Sequence, residues 1–592
     1  MIAKQLIEPK SIVVVGGSDD VHKPGGAVLR NLQDGNFKGS LYVVNPKMDE
    51  VQGIKACRDV KDLPEVDCAI LAIAAKFCPS TVEVLAKQKN TKAFIILSAG
   101  FHEENEEGAK LERQIVETVN SVGGSLIGPN CIGVLTNHYS GVFTSPIPEL
   151  NPQGVDLISG SGATALFIMD SGMQKGIKFN SMYSVGNSAQ LGVEEILEYM
   201  DESFDPKTSS RVKLLYVESI EKPKKLLKHA SSLIRKGCRI AAVKSGGSAA
   251  GSRAASSHTG ALASSDVAVE ALFRKAGIVR CNGRDELMTV AGIFMHPEMK
   301  GRNMAVVTHA GGPAVMLTDA LSNGGMDVPH IEGEKAQELL AKLFAGSSVG
   351  NPIDFLATGT AEQLGYILDA CDRDFDNIDG MAVIFGSPGL FPVFDVYNVL
   401  DEKMKTSKKP IFPIFPSSKI VKDEIAEFVS KGRVYFPDEV LFGNALCKIY
   451  KTPAPQPEHF EMPDMDVKKI REVVDNAQNG YLSPDEIHAL LDAAGVARAK
   501  EGVSDNEEEI VKMAKEIGFP LVMKVVGPIH KSDVGGVVLN VKDEETVRRE
   551  FKRMMQIKDT YAIMLAQQLS GTQVFIGAKR DDKFGHMVLC GL

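Results

Sequence analysis

The chain has 592 residues, of which 44% are hydrophobic and 24% charged, and its formal net charge is −10. This length is too great for one core, so we expect three to five domains, and the acidic balance disfavours a general nucleic-acid surface. No apolar run approaches the roughly 20 residues that span a bilayer, and the nine cysteines are spaced singly, so we predict a cytoplasmic protein that binds neither membranes nor nucleic acid.

Short runs rich in valine and isoleucine alternate with helical patterns along most of the chain. The runs are 11–15, 40–44, 68–73, 93–98, 155–159, 214–217, 240–244, 304–308 and 381–385. Continuous apolar strands separated by amphipathic segments are typical of parallel sheets that are covered by helices on both faces. The predicted fold class is therefore α/β.

Three segments rich in proline or polar residues indicate boundaries, at 137–153, 296–303 and 451–463. The last is the clearest linker, because its prolines cannot continue a helix and favour extended backbone. After it, Ser483 followed by Pro484 predicts a helix start, with serine at the N-cap and proline in the first turn. The predicted domains are 1–135, 150–295, 300–452 and 465–592.

The first apolar run leads directly into a glycine turn, Gly16-Gly17-Ser18, ahead of a predicted helix around 27–32. Such a turn lets backbone N–H groups and a helix N-terminus face a phosphate, although a purely structural turn has the same pattern. A dinucleotide site would usually have an acidic residue after the second strand. Here that strand is followed by Asn45 and Lys47, and a lysine at this place favours a phosphorylated nucleotide.

His258 lies in a segment almost without side-chain bulk, AASSHTGALASSD at 254–266, which follows KSGGSAAGS at 244–252. We predict a loop here, since small residues let a backbone approach a charged ligand closely. A neutral imidazole can attack phosphorus. A phosphorylated ring would need hydrogen-bond donors and helix dipoles around it, and without them a single histidine is ordinarily a core or surface residue.

Two glycine-rich turns could supply these donors. The segment SGSGAT at 159–164 follows a strand and opens a predicted helix that continues to Met173. The segment THAGGP at 308–313 follows another strand and opens a helix to Leu321. Helix N-termini bind anions readily. If both turns converge on His258 they form a cradle for phosphohistidine, whereas separately each is more often structural.

The motifs then form a diagnostic series. In chain order they are a strand with GGS at 16–18, GPNC at 128–131, SGSGA at 159–163, YVES at 216–219, SHTG at 257–260, HAGG at 309–312 and NPIDF at 351–355. This series resembles the ADP-forming acyl-CoA synthetases, relatives of succinyl-CoA synthetase, over nearly the whole chain. The resemblance implies a Rossmann-like CoA-binding domain, two flavodoxin-like domains and a partial ATP-grasp domain.

The resemblance also implies roles for individual residues. His258 is expected to be phosphorylated, and Glu218 to hydrogen-bond its ring and stabilise the positive charge that develops there. The residues implied for phosphate binding are Ser161, Gly162, Ala163, Gly311 and Gly312. Those implied for coenzyme A are Gly16, Gly17, Ser18, Lys23, Asn45, Lys47 and Asn130.

The implied reaction converts an acyl-CoA, ADP and phosphate reversibly into the free acid, CoA and ATP. Phosphate attacks the thioester, the histidine takes the phosphoryl group from the acyl phosphate, and phosphohistidine phosphorylates ADP. We expect acetyl-CoA as the substrate and a homodimer as the assembly. The alternatives are a succinyl- or citryl-type CoA ligase and a non-catalytic CoA or nucleotide sensor. The presence of His258 with Glu218 argues against the sensor, which needs no nucleophile.

The segment 482–592 resembles the start of an ATP-grasp domain. By that resemblance Lys524 and Gln567 contact ADP or ATP, and His530, in IHKSDVGGV at 529–537, is a second phosphorylated histidine. The chain has Gln573 where the family usually has glutamate. The acidic Mg²⁺ ligands are expected beyond Leu592, in a longer product or another chain, so no metal ligands are assigned. We expect CoA binding and His258 chemistry to be intact, and nucleotide turnover by this polypeptide alone to be impaired.

Overall fold

A computed structural model describes residues 2–35, 37–259, 265–387, 392–458, 461–528 and 532–592, with the backbone alone for 255–259. The chain divides into two compact units. One unit is Met1–Gln456 with Asp581–Gly585, and the other is Pro457–Arg580 with His586–Leu592. Parallel sheets with helices between their strands dominate the first unit, which confirms the predicted α/β class.

The first sheet has seven strands in the order β3-β4-β2-β1-β5-β6-β7. Its strands are β1 (Ser11–Val15), β2 (Ser40–Val44), β3 (Glu50–Val51), β4 (Ile54–Cys57), β5 (Cys68–Leu71), β6 (Ala93–Ile96) and β7 (Ser125–Ile127). Its helices are α1 (Lys4–Ile7), α2 (Pro24–Asp34), α3 (Cys78–Gln88) and α4 (Glu106–Ser121). Strand β1 pairs in parallel with β2 and β5, and its valines are buried, as its continuous apolar run predicts.

The second sheet also has seven strands, in the order β14-β13-β12-β10-β11-β8-β9. Its strands are β8 (Gly133–Leu135), β9 (Ser140–Val142), β10 (Leu150–Ser159), β11 (Phe179–Ser184), β12 (Val212–Val217), β13 (Arg239–Lys244) and β14 (Val279–Cys281). Its helices are α5 (Gly162–Gln174), α6 (Val193–Glu202), α7 (Pro223–Arg235), α8 (Ala249–Thr259), α9 (Asp266–Ala276) and α10 (Arg284–Phe294). Strand β8 pairs antiparallel with β11 and β9, so the predicted connection at 137–153 contains β9 and the first residues of β10.

The loop predicted around His258 is wrong, because the backbone there forms helix α8 up to Thr259. At its start the Ser248 hydroxyl oxygen accepts a hydrogen bond from the Gly251 N–H at 3.0 Å. Alanines at 249, 250, 254 and 255 follow, and alanine has the highest helix propensity of all residues. Small residues therefore favour a capped helix here, where we expected a loop.

The third sheet is parallel, in the order β16-β15-β17-β18. Its strands are β15 (Met304–Thr308), β16 (Ile353–Asp354), β17 (Gly380–Ile384) and β18 (Ile411–Ile414). Its helices are α11 (Gly311–Asn323), α12 (Glu334–Leu340), α13 (Ala361–Arg373), α14 (Phe394–Thr406), α15 (Lys422–Ser430) and α16 (Glu439–Lys451). One buried apolar cluster contains residues of the first and second sheets, and another contains residues of the second and third sheets.

The second unit contains an antiparallel sheet in the order β19-β22-β20-β21. Its strands are β19 (Glu501–Ser504), β20 (Leu521–Val526), β21 (Val537–Val541) and β22 (Ala562–Gln567), and a hairpin of β23 (Phe575–Asp581) and β24 (Gly585–Gly591) follows. The helices are α17 (Val467–Asn476), α18 (Pro484–Ala493), α19 (Glu507–Ile517) and α20 (Glu544–Met554). The predicted N-cap is confirmed, since the Ser483 oxygen accepts the Glu486 N–H at 3.3 Å.

Among the described residues, the structure contains no helix with the length and hydropathy of a membrane span. All nine cysteines are free thiols. Most of them are buried, with Cys57 half-buried and Cys590 exposed.

Candidate active site

A cavity of about 710 Å³ lies in the first unit, at the carboxyl ends of strands β10, β11 and β12. In open α/β sheets this edge is where ligands ordinarily bind. Turns of the second sheet provide most of the walls, and the loops that follow β6 and β7 of the first sheet contribute as well, together with Glu112 on α4 and Lys583 between β23 and β24. The predicted site residues in its lining are Asn130, Ser161, Gly162, Ala163 and Glu218.

The turn between β10 and α5 is held by two serines. The Ser159 hydroxyl donates to the Ser161 carbonyl at 2.7 Å and accepts from the Ser161 N–H at 3.2 Å. Ser161 is the N-cap of α5 and accepts the Thr164 N–H at 3.4 Å. A Cβ on Gly162 would lie 2.5 Å from Ile132 Cγ2, so only glycine fits there without a shift. The first N–H groups of α5 thus border the cavity, where they could hold an anion.

Glu218 follows β12 directly and is half-buried in the wall of the same cavity. It therefore lies in the same cavity as the N-terminus of α5, as the proposed cradle requires. The His258 side chain lies outside the described residues, so its contact with Glu218 stays a prediction.

Two backbone hydrogen bonds join the turn after β7 to the turn after β11 at the cavity. Asn187 donates its N–H to the Pro129 carbonyl at 2.9 Å, and Ala189 donates to the Gly128 carbonyl at 3.2 Å. This brings the Asn130 amide Nδ2 to 3.4 Å from the Asn187 Oδ1. Sequence reasoning did not identify Asn187, although a glycine and an asparagine one residue after a buried strand are a signal for such a turn.

Charged residues at the start of α6 form another wall. Glu194 accepts the N–H groups of Glu221 and Lys222 at 2.9 and 3.0 Å. Glu195 accepts the Gly192 N–H at 3.0 Å and forms ion pairs with Lys222 and Lys225 at 2.8 and 3.0 Å. Burial raises the pKa of Glu195, but these hydrogen bonds outweigh it and the pKa lies below its ordinary value. The Glu194 and Glu195 carboxylates are thus balanced by N–H donors and lysines, which reduces their repulsion of an anionic ligand.

The first glycine turn lies at the carboxyl end of β1, outside the lining of this cavity. Gly16 has a φ of 88°, and a Cβ on Gly17 would overlap the Val43 side chain. The Asn45 amide donates to the Gly17 carbonyl at 2.8 Å and accepts the Lys47 N–H at 2.9 Å. The structure therefore joins the predicted CoA residues after β1 to those after β2.

The remaining predicted CoA residues lie around the start of α2. Lys23 is the N-cap residue of α2 and lies 3.6 Å from Asp20, in an exposed ion pair. The Ser18 hydroxyl oxygen accepts the Asp20 N–H at 3.1 Å. Both side chains are thus near the helix N-terminus at which the motif predicts a phosphate.

The turn between β15 and α11 repeats the geometry of the Ser159 turn. The Thr308 hydroxyl donates to the Ala310 carbonyl at 2.8 Å and accepts the Ala310 N–H at 3.0 Å. Helix α11 then starts with Gly311 and Gly312. Neither glycine is in the lining of the cavity, so the convergence of the two turns on one histidine stays a prediction.

The residues predicted for the nucleotide lie in the second unit. Lys524 is on strand β20, half-buried, and Gln567 ends the neighbouring strand β22. Strand β20 pairs Leu521 with Gln567 and Lys524 with Met564. His530 lies outside the described residues. Among the described residues, no group of three or more His, Cys, Asp or Glu side chains could hold a metal ion.

Three family models match the chain. A CoA-binding domain model matches residues 10–137. A succinyl-CoA ligase like flavodoxin domain model matches residues 152–294, and an ATP-grasp domain model matches residues 473–592. Together these matches cover most of the predicted architecture.

Similar proteins match over the full chain. An ADP-forming acetate–CoA ligase I of Archaeoglobus fulgidus is 32% identical over 100% of this chain and 86% of its own length. A 4-hydroxybutyrate–CoA ligase (ADP-forming) of Nitrosopumilus maritimus is 28% identical over 100% of this chain and 87% of its own. Among solved structures, acetyl-coenzyme A synthetase 1 of Ca. Korarchaeum cryptofilum, in complex with phosphate and ADP, aligns with a TM-score of 0.68. Its sequence identity is 26%, over 76% of this chain and 96% of that chain.

Proposed function

The chain belongs to the ADP-forming acyl-CoA synthetases, and from this premise we propose that it joins an acid to coenzyme A through an acyl phosphate and a phosphohistidine at His258. Its ligands are coenzyme A, phosphate, and ADP or ATP. The single observation that supports the mechanism most directly is the cavity shared by the N-terminus of α5 and Glu218. The role of His258 rests on its motif, SHTG at 257–260.

The α5 turn binds phosphate through the N–H groups that follow Ser161. In the direction of ATP synthesis, a phosphate oxygen attacks the thioester carbonyl, the carbon–sulfur bond breaks and CoA leaves, so that an acyl phosphate remains. The His258 nitrogen then attacks phosphorus, and the carboxylate leaves as the free acid. Glu218 stabilises the charge that develops on the ring.

Lys524, Gln567 and His530 serve the second half of the reaction, in which the phosphoryl group reaches ADP. His530 acts as an intermediate carrier of the phosphoryl group. Mg²⁺ neutralises phosphate charge when it is bound. The described residues do not form a site for it, and none is assigned.

Acetyl-CoA is the proposed substrate. The similar proteins named above act on acetate and 4-hydroxybutyrate, which carry one carboxylate, and this favours such acids over the succinyl- or citryl-type alternative. The sensor alternative is not supported, because the relatives that match over the full chain are ligases. A cytoplasmic location and a homodimer belong to the same proposal, on the basis of the family resemblance.

Phosphohistidine formation tests the proposal. Incubation with labelled phosphate and acetyl-CoA should yield an acid-labile, base-stable protein phosphate that is absent from His258→Ala. The matched control is His330→Ala, whose side chain is 69% exposed and lies in the third-sheet region. Absence of label from the wild-type protein, or its persistence in His258→Ala, would refute the assignment.

A further inference from the structure

A second histidine, His102, lines the same cavity. It lies in the loop between β6 and α4. Its Nδ1 is 2.7 and 2.9 Å from the two carboxylate oxygens of Glu112 on α4. The imidazole is 28% exposed and the Glu112 side chain 12%. The pair is therefore mostly buried, yet both residues line the cavity.

Glu112 is held in turn by a network that crosses two sheets. The Asn187 amide Nδ2 donates to Glu112 at 3.2 Å and also to Glu103. Glu103 accepts the Gly100 N–H at 2.7 Å as well. Burial raises the pKa of Glu103, but the hydrogen bonds from Asn187 and Gly100 outweigh it, so this pKa lies below its usual range. The carboxylates around His102 are thus fixed in position by donors.

This arrangement determines the role of each ring nitrogen. A carboxylate can only accept, so Nδ1 carries the proton that contacts Glu112, and in the neutral ring Nε2 is the basic nitrogen. The same carboxylate stabilises the imidazolium that forms when Nε2 takes a proton. Orientation by a buried carboxylate is the arrangement that general bases use.

The reaction includes a proton transfer that the residues named so far do not perform. When acyl-CoA is formed, the thiol of CoA must lose its proton, and thiols with pKa values near ~8.5 are mostly protonated at neutral pH. His258 is the phosphoryl acceptor in the proposed function, so the thiol needs a different base. His102 lines the cavity that holds the predicted phosphate turn.

We propose that His102 is the general base that deprotonates the CoA thiol during acyl-CoA formation; this inference rests on the proposed function. Nε2 takes the thiol proton, and the sulfur forms a bond to the carbonyl carbon of the acyl phosphate. The carbon–oxygen bond to phosphate then breaks, with its electron pair on the phosphate oxygen. The imidazolium returns the proton to that phosphate. The reverse direction runs the same transfers backwards.

Other charged groups border this cavity and act on the ring. The carboxylates are Glu103, Glu112, Glu194, Glu195, Glu218 and Glu221. The cations are Lys222 and Lys583. Glu195 is paired with Lys222, and Glu221 with Lys583 at 2.6 Å. The Glu112 carboxylate contacts the imidazole directly.

The variant His102→Asn tests the proposal, because the asparagine amide can still donate to Glu112 but cannot act as a base. The probe reaction is acetyl phosphate plus CoA, measured as acetyl-CoA formed. We expect a rate about 10² to 10⁴-fold below wild type at neutral pH. The loss should shrink as the pH rises through the ordinary range of thiols, near ~8.5, where the thiolate forms without a base. Transfer of label from acetyl phosphate to the protein, which needs no thiol, should be unchanged.

The matched control is His138→Asn, which removes a histidine 3.4 Å from Glu8, outside this cavity. It should keep the wild-type rate and pH profile. Three results would overturn the proposal: a wild-type rate in His102→Asn, an equal loss of acetyl-CoA formation and labelling, or a loss that does not recover at high pH. If the wild type forms acetyl-CoA without any protein label, the proposed phosphohistidine intermediate is refuted. The role of His102 is then still decided by the rate and pH profile of His102→Asn. If it forms no acetyl-CoA, both proposals fall.

Discussion

Gly186 packs directly against the carbonyl oxygen of Pro129, and a Cβ on Gly186 would overlap that oxygen. The contact joins a turn of the second sheet to a turn of the first. It positions both Asn130 and Asn187, whose side chains meet in the cavity wall. The geometry of the cavity thus depends on a glycine that carries no functional group.

Gly186→Ala should therefore impair both stability and activity. Its φ of 53° is already unfavourable for alanine, and the added methyl group would push the turns apart, at a total cost of about 1–3 kcal/mol in the free energy of unfolding. The control is Gly53→Ala, with a φ of 79° but no atom within 4 Å of its Cβ. Urea unfolding and acetyl-CoA formation should both change more in the first variant; equal effects would mean that the close approach is unimportant.

Gly162→Ala should weaken phosphate use. The methyl group would lie 2.5 Å from Ile132 Cγ2 and displace the start of α5, although alanine has the better helix propensity. We expect the KM for phosphate to rise about tenfold, equivalent to ~1.4 kcal/mol, with little change in CoA affinity. Adding Ile132→Ala removes the obstacle and should restore much of the phosphate KM. A double variant as weak as the single one would contradict this reason.

Glu218→Gln should slow phosphorylation of the protein. The amide keeps the size of the side chain but cannot stabilise a positive imidazole, so we expect labelling to slow by about 10 to 10³-fold. Rapid-quench measurement of label from acetyl phosphate gives the rate. Glu202→Gln, an exposed position at the end of α6, is the control. Wild-type labelling in Glu218→Gln would exclude the predicted role.

His296 should make stability depend on pH. Burial lowers the pKa of His296 to about 4, and Nδ1 contacts the Gly292 carbonyl at 2.8 Å. In the unfolded chain the ring is protonated below pH ~6.5. Between that pH and pH ~4 the unfolded state binds the proton and the folded state does not, so a falling pH favours unfolding. The stability contribution is present above ~6.5 and falls by about 3 kcal/mol as the pH falls toward ~4.

Urea unfolding at several pH values checks this, with His296→Leu as the variant without a titrating ring. The variant should have a flatter dependence across that range, whatever its stability at neutral pH. An unchanged slope would show that other groups cause the dependence. NMR of the His296 ring should find it neutral near pH ~5.

The positions of several strands were predicted correctly from runs of apolar residues in the sequence. The runs at 11–15, 40–44 and 304–308 match β1, β2 and β15 residue for residue, because a continuous apolar segment must be buried on both faces of a sheet. The helix start within SGSGAT at 159–164 and the N-cap at Ser483 were also predicted, since a helix cap is a local hydrogen bond. The helix at His258 was missed, because small residues suit both a loop and an alanine-rich helix.

The amino-acid sequence by itself determined the α/β class, the family and the positions of the glycine-rich turns, since each depends on residues adjacent along the chain. Only the tertiary structure decided that β8 and β9 join the second sheet and that Asn187 meets Glu103, 84 residues away. It also decided that His102 and Glu112 lie in the cavity with Glu218. Such contacts depend on which strand ends lie next to each other in the fold, and local residue propensities do not specify that arrangement.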